Sequence, residues 1–342
     1  MTSWVRVQAP VRVLDAGGWS DTWFAGHGQV CQLGVGPGTE VEVHLTPLGD
    51  IGASSVHLHL PDFEDHYSFS IHRPPGRHPM LEAALRRWAP AAARLEITVS
   101  SPVPTGSGLG TSASVLVALI AALQELDGSL QGPDDLANAA HNVETVDLAR
   151  QSGVQDQVAA ARGGANLIKI APYPRYEVQP LQLAPATWQA LAERVSTVYL
   201  GVRHDSSAVH DAVIRQLAGN SPDGNSTERF MAPLRAAADA AADALVSGDL
   251  GCYGDAMIAS NEAQAALHRS IVSPLAWEAI GIARRKGAIG WKVNGAGGDG
   301  GTVSFLGPED PGEMLAALEA LGLVTILDLK PTQDGARVVD KS

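Results

Sequence analysis

The segment Pro104-Thr105-Gly106-Ser107-Gly108-Leu109-Gly110-Thr111-Ser112-Ala113 decides the reading of this chain. It follows a strand-like stretch at 95–99 and leads into an apolar, alanine-rich run over 111–126 that reads as a buried helix stopped by Gly128. Three glycines at alternate positions let the backbone fold close to a ligand and turn successive N–H groups inward, and the helix that follows adds the positive end of its dipole. Such a loop is built to cradle an anion. No Gly-Lys-Ser/Thr ending occurs, so this is not a Walker A loop, and a cation other than its lysine must help to hold phosphates. The alternative is a flexible strand-to-helix turn, for which three glycines followed by Thr-Ser are costly.

Charge makes local devices necessary. Against 24 Lys and Arg stand 37 Asp and Glu among 342 residues, a net charge of −13, which argues against a nucleic acid or an anionic membrane as the main partner. Hydrophobic residues at 45% and charged ones at 18% exclude disorder for the bulk of the chain, and the length suggests two domains. Cys31 and Cys252 form neither a disulfide framework nor a zinc site. The first ten residues, MTSWVRVQAP, lack the basic and apolar regions of a signal peptide, and the longest apolar run, 116–123, is far short of a membrane span. A cytoplasmic location is expected.

Apolar alternation predicts strands over 4–8, 11–16, 39–46, 56–60 and 95–99. His57 and His59 share one face of such a strand and, with no third ligand nearby, read as surface residues. Helices are expected over 133–149 and 155–161, then a strand over 165–170. Beyond about residue 180 the pattern changes to strands at 195–202, 289–293, 302–306 and 324–329 and helices at 226–247, 252–268, 274–286 and 312–321. Strands mixed with packed helices in both halves predict two α+β domains, 1–180 and 181–342, with a cleft between them.

Three further motifs carry chemistry. Gly295-Ala296-Gly297-Gly298-Asp299-Gly300-Gly301 contains G-x-G-x-x-G, but a strand follows it, which removes the Rossmann context. It reads as a tight loop that brings backbone to a ligand, or as a plain hairpin. Glu144 and Asp156 are each solvated surface acids or, beside a phosphate cradle lacking a lysine, a magnesium ligand and a group that accepts a hydroxyl proton. In Ala9-Pro10-Val11-Arg12-Val13-Leu14-Asp15-Ala16-Gly17-Gly18-Trp19-Ser20-Asp21, a lone arginine on an apolar strand needs an anionic partner if buried. Asp21 behind its Gly-Gly turn is placed to bind vicinal hydroxyls, or else to cap a helix.

Together these residues resemble the GHMP kinase superfamily, small-molecule kinases related to galactokinase, homoserine kinase and mevalonate kinase. Ala9 to Asp21 resembles the first motif, Pro104 to Ala113 the phosphate loop P-x-x-x-G-L-G-S/T-S-A, and Lys292 to Gly301 the C-terminal glycine motif. Ala-Gly-Gly-Trp-Ser-Asp at 16–21, and Gln155-Asp156-Gln157 with Gly163-Gly164, are similar to the branch containing fucokinase and D-glycero-D-manno-heptose 7-phosphate kinase.

The resemblance implies an α+β, two-domain GHMP kinase fold. Its N-terminal domain would be ribosomal-protein-S5-like, with a left-handed βαβ crossover, and its C-terminal domain ferredoxin-like. It implies transfer of the γ-phosphoryl group of ATP to a sugar hydroxyl, with C1 of a heptose 7-phosphate or a fucose-like sugar as the expected acceptor. Pro104, Gly106, Ser107, Gly108, Leu109, Gly110, Thr111 and Ser112 would hold the triphosphate, and Ser112 and Glu144 would ligate Mg²⁺. Asp156 would be the base, Arg12 would orient it, and Gly17, Gly18, Asp21, Gly297 and Gly298 would face the substrate. Asp299 departs from the pattern by placing a negative charge in the glycine loop, while Arg203 and His204 could bind a distal phosphate. A kinase-like sugar sensor without turnover is the rival reading. A serine hydrolase is disfavoured because no G-x-S-x-G elbow is present.

Overall fold

A computed structural model of the chain describes residues 2–48, 54–201, 206–219 and 226–342. Strands β1 (Ser3–Ala16), β2 (Gly28–Pro47), β3 (Ser55–Leu60), β4 (Asp65–Ser70), β5 (Ala93–Ser100), β6 (Ala165–Ile170) and β7 (Tyr176–Pro180) build the first sheet. Helices α1 (Pro79–Trp88), α2 (Thr111–Asp127), α3 (Pro133–Asn142) and α4 (Gln155–Arg162) accompany it. After α5 (Pro185–Arg194) the chain enters a second sheet through β8 (Val195–Tyr199) and continues with α6 (Ser206–Gly219), α7 (Ser226–Ser247), α8 (Leu250–Leu267) and α9 (Pro274–Arg285). The second sheet is completed by β9 (Gly290–Val293), β10 (Thr302–Leu306), α10 (Gly312–Glu319) and β11 (Thr325–Leu327).

The second sheet is antiparallel in the order β11-β8-β10-β9. Numbered within that sheet this is 4-1-3-2, with helices between its first and second and between its third and fourth strands, as the ferredoxin-like expectation requires. The last segments, β12 (Lys330–Pro331) and β13 (Arg337–Lys341), return to the first sheet, where β12 pairs β2 and β13 pairs β1. A single cut at residue 180 therefore fails to separate the two sheets, and 330–341 belong with the N-terminal one.

The two short strands expected at 4–8 and 11–16 are one strand. Pro10 lacks a donor, yet it is tolerated because the register between β1 and β2 shifts between Ala9 and Val11. Burial changes character at the same place: residues 3–8 are alternately buried, while 9–16 are buried on both faces. There β1 packs against α2, α4, α7 and α8, and Val11, Val13 and Leu14 join Ala238, Leu245, Tyr253 and Met257 in a core shared by the two sheets. Each such large aliphatic side chain contributes roughly 1.5–3 kcal/mol by leaving water. Arg12 and Asp15 lie in this doubly covered half, so their charges need partners inside the protein.

The helix expected over 133–149 ends at Asn142 and continues as one π-helical turn, Val143–Asp147. Its hydrogen bond from Leu148 N to Val143 O spans five residues, and the chain then leaves the helix through Ala149, at φ 50°. Wide turns of this kind cluster at functional sites. Glu144 sits on this one.

Candidate active site

The loop between β5 and α2 has the conformation its glycines permit. Gly106, Gly108 and Gly110 adopt φ of 75°, 77° and 77°, in the left-handed region, and Gly110 is the N-cap of α2. Leu109 is a core residue rather than a ligand contact: its side chain is buried and its carbonyl accepts Arg12 N at 3.0 Å, tying the loop to β1. Pro104 also lies off the cavity wall and accepts Ser107 N. Gly106, Ser107, Gly108, Gly110, Thr111 and Ser112 do face a cavity of about 740 Å³.

Across that cavity stands Asp156, in the first turn of α4, one third exposed. Arg12, only 3% exposed, donates from Nε to Asp156 Oδ1 at 2.8 Å, with Nη2 ion-paired to the same oxygen at 2.8 Å, and donates from Nη1 to Gly108 O. Burial alone would lower the Arg12 pKa, but Asp156 and Asp15 reverse this and hold it above its ordinary value. A single guanidinium thus fixes both the phosphate loop and the acid opposite it. Space is tight: a Cβ on Gly110 would sit 3.1 Å from Asp156 Cγ, and one on Gly295 would sit 2.7 Å from Gly108 O.

Ser112 and Glu144 line the same cavity. Burial pushes the Glu144 carboxyl up to about 7, and the charge of Asp156 adds to the rise. A buried carboxyl beside a second carboxylate is a group that gains from a cation. Among the described residues no three His, Cys, Asp or Glu side chains could hold a metal ion by themselves. The donor set fits Mg²⁺ on those terms, because this ion takes oxygen ligands, uses one or two carboxylates and completes its shell with water and substrate phosphates.

Asp21 lines the cavity and also takes the capping role that its sequence position left open. It is 1% exposed, and its Oδ2 accepts from Val154 N at 3.0 Å and Gln155 N at 3.2 Å, so it caps the start of α4 beneath Asp156. Burial raises its carboxyl to about 6. Gly17 and Gly18 do not reach the cavity. Gly17, at φ 86°, is pressed against Gln29 O and Ala238 Cβ, and Gly18 turns back on Asp15. Gly297 and Gly298 are likewise withdrawn, because Gly298 N bonds Ile271 O and a Cβ on Gly297 would meet the same oxygen. Gly295 and Ala296 take their place on the wall. Asp299 is exposed and off that wall, so it puts no charge on the loop's inner face. Arg203 and His204 lie outside the described residues.

Other wall residues are not among those singled out as site residues, although Trp19 lies within the first motif. Trp19, Thr22, Arg150, Gln151, Ser152 and His210 line the cavity. Trp19 and His210 meet edge to face at 5.0 Å. A second hollow of about 220 Å³ adjoins the first through Met80, Thr105, Thr111, Ser112 and Arg150, and Leu60, Phe63, Pro79, Val115 and Leu116 give it apolar walls.

Beneath the cavity lies a buried polar cluster that pairs a residue of the first motif with one of the C-terminal glycine motif. Lys292 on β9 and Asp15 on β1 are both fully buried, with Nζ 3.4 Å from Oδ1. Lys292 also donates to Gln264 Oε1 and to Val293 O, and burial pulls its pKa down while Asp15 acts against that. The rule applied to Arg12, that a lone cation on an apolar strand needs a buried anion, would have singled out Lys292 as well.

Residues 78–164 match the family described as GHMP kinases N terminal domain. The chain is 26% identical over 218 residues to a D-glycero-alpha-D-manno-heptose 7-phosphate kinase of Campylobacter jejuni, covering 64% of this chain and 63% of that one. It thus spans somewhat less than two thirds of that relative's length. It is 28% identical over 246 residues to a mevalonate kinase of Thermococcus sibiricus, covering 71% and 69%. The crystal structure of a D-glycero-D-manno-heptose 1-phosphate kinase from Bacteriodes thetaiotaomicron superposes with a TM-score of 0.72 over 98% of this chain and 99% of that one, at 21% identity.

Proposed function

We propose that this chain, whose residues 78–164 match the GHMP kinases N terminal domain and which has the GHMP kinase fold, is an ATP- and Mg²⁺-dependent kinase that phosphorylates a sugar hydroxyl. The observation that carries the reading is the Arg12–Asp156 pair set against the Gly110 end of the anion cradle.

The triphosphate lies along the N–H groups of Gly106 to Ser112, at the positive end of α2. The apolar hollow beside Met80 and Thr111 takes the adenine. Ser112 and Glu144 hold Mg²⁺, which when bound offsets phosphate charge. Asp156 Oδ1 is occupied by Arg12, so Oδ2 meets the acceptor hydroxyl and takes its proton. The hydroxyl oxygen forms the new bond to the γ-phosphorus as the bond from that phosphorus to the β–γ bridging oxygen breaks, and ADP leaves with that electron pair. Arg12 keeps the carboxylate aimed throughout, and Asp21 holds the helix that carries it. Phosphoryl transfer asks mainly for positioning and charge stabilisation, which this arrangement supplies without a P-loop lysine.

The acceptor lies between Asp156 and the Trp19–His210 wall. We take it to be a heptose 7-phosphate or a fucose-like sugar, phosphorylated at C1. The Gly-Gly-Trp-Ser-Asp segment and the name of the Campylobacter relative support that choice. The test is ADP formation from ATP and Mg²⁺ with fucose, arabinose, mannose, a uronic acid and heptose 7-phosphate, followed by NMR location of the new phosphate. Turnover that survives unchanged in Asp156→Ala would overturn the mechanism.

A further inference from the structure

In a regular strand, residues three apart point to opposite faces. Arg12 and Asp15 nevertheless converge, with Arg12 Nη1 4.0 Å from Asp15 Oδ2. The cause is Leu14, which adopts φ 57° where the β1–β2 register shifts between Val13 and Ala16. That left-handed leucine is held by Asn294, whose Oδ1 accepts Leu14 N at 3.0 Å. Strained backbone of this kind persists only where the surroundings impose it, and it clusters at functional sites.

The kink creates a hazard. It places a fully buried carboxylate beside the guanidinium that must stay on Asp156, and in a medium of low dielectric an unpaired Asp15 would compete for Arg12. Two groups from the second sheet remove the competition: Lys292 Nζ faces Asp15 Oδ1, and Gly295 N donates to Oδ2 at 3.1 Å. The row then reads Lys292, Asp15, Arg12, Asp156, alternating in charge, with the first three buried and Asp156 reaching the cavity.

We propose that Lys292 is a positioning residue, which occupies Asp15 from the second sheet and so keeps the Arg12 guanidinium on Asp156. Lys292 touches neither the cavity nor the substrate, since it is absent from the wall and fully buried. The inference rests on the reading of Asp156 and Arg12 as catalytic machinery, and it adds that their alignment depends on a contact between the two sheets.

The test uses Lys292→Met, and Lys292→Met combined with Asp15→Asn, in the full chain, each read by crystal structure, thermal melting and steady-state kinetics with ATP and the best acceptor. In Lys292→Met, Arg12 is expected to leave Asp156 for Asp15 and kcat to fall about 100-fold, the scale of a misplacement near 1 Å, with KM for ATP within about threefold. In the double variant no carboxylate competes, Arg12 returns to Asp156, and kcat recovers to within about fivefold of the parent. A purely structural lysine would lower the melting temperature without this recovery of kcat. Arg12 remaining on Asp156 in Lys292→Met, or a folded double variant as slow as Lys292→Met, overturns the proposal. If Lys292→Met does not fold, the double variant decides alone by the same criterion. Movement of Arg12 with undiminished turnover would instead overturn the catalytic reading of the Arg12–Asp156 pair while leaving the hold of Lys292 on Asp15 in place.

Discussion

Arg12 Nε reaches Asp156 Oδ1 at 2.8 Å although 144 residues separate them, and the same guanidinium holds the carbonyl of Gly108. This one side chain links β1, α4 and the phosphate loop. Replacing Asp156 by Asn keeps its size but removes the proton acceptor, so kcat should fall by roughly 10³-fold, within the range for a positioned general base. Arg12→Met should cost about 10²-fold or more, because it releases the loop and the acid together. Steady-state ADP release measures both, and a loss confined to KM for ATP would contradict the assignment.

Glu144 is buried beside Asp156, with a carboxyl that prefers either a proton or a cation. Glu144→Gln preserves shape and removes the charge. The Mg²⁺ concentration for half-maximal activity should rise by about 10-fold or more, with a smaller rise for Ser112→Ala, as expected when a carboxylate ligand is lost and a hydroxyl ligand is trimmed. Magnesium titrations at fixed ATP read this directly. An unchanged requirement in both variants would remove these residues from the metal site.

The meeting of the two glycine loops is open to a steric test. Gly295 has φ 60°, and a Cβ there would lie 2.7 Å from Gly108 O and 3.3 Å from Arg12 Nη2. Gly295→Ala must therefore push the phosphate loop and Arg12 away from the second sheet. A fall in kcat/KM of about 10²-fold is expected. Gly322→Ala provides the control: it too has a left-handed φ, 66°, but among the described residues nothing lies within 4 Å of the added carbon, so its activity should be retained.

Much of this site was legible because its chemistry follows local rules. A lone arginine on an apolar strand demands an anion, and alternate glycines before a helix demand a ligand, so Arg12 and Gly106 to Gly110 could be singled out from neighbouring residues alone. What escaped depends on long-range geometry. Gly17 and Gly297 look like ligand loops in sequence, yet each is consumed by a close approach to Gln29 or Ile271, which no local pattern shows. Glu144 was expected on a continuous helix, and the π-helical turn that carries it becomes visible only once the chain is packed. Lys292 is a lone cation on an apolar strand by the same rule, but its partner Asp15, 277 positions away, is found only in the packed chain.

Asp21 gives a pH dependence of stability. Its carboxyl rises from 3.8 to about 6 on folding, chiefly through burial, so the folded protein binds this proton more tightly than the unfolded chain does. The resulting stabilisation is fully present below about pH 4 and is lost as pH rises through about 6. A shift near two units corresponds to about 3 kcal/mol. Asp21→Asn cannot titrate, so the stability of the parent relative to this variant should grow by an amount of that order as pH falls from 6.5 to 4. Urea midpoints at several pH values give the difference, from which the titration of Glu144, common to both proteins, cancels. A pH-independent difference would mean that Asp21 stays ionised in its helix cap.

Trp19 carries the last prediction. A bulky side chain at φ 80° is a backbone outlier, and here it is 4% exposed, packed edge to face on His210, and, among the described residues, without a hydrogen-bond partner for its indole N–H. Its burial in the core that holds Val198, Leu200 and Met231 offsets that strain, and the part of the ring left at the cavity wall suits the C–H surface of a sugar. Trp19→Ala should raise KM for the acceptor by about 10-fold or more, equivalent to at least roughly 1.4 kcal/mol of lost contact, and leave KM for ATP within about twofold. Trp19→Phe should recover most of the loss, because the face remains and only the N–H is gone. Equal rises in both KM values would show that Trp19 supports the fold of the cleft and does not contact the acceptor.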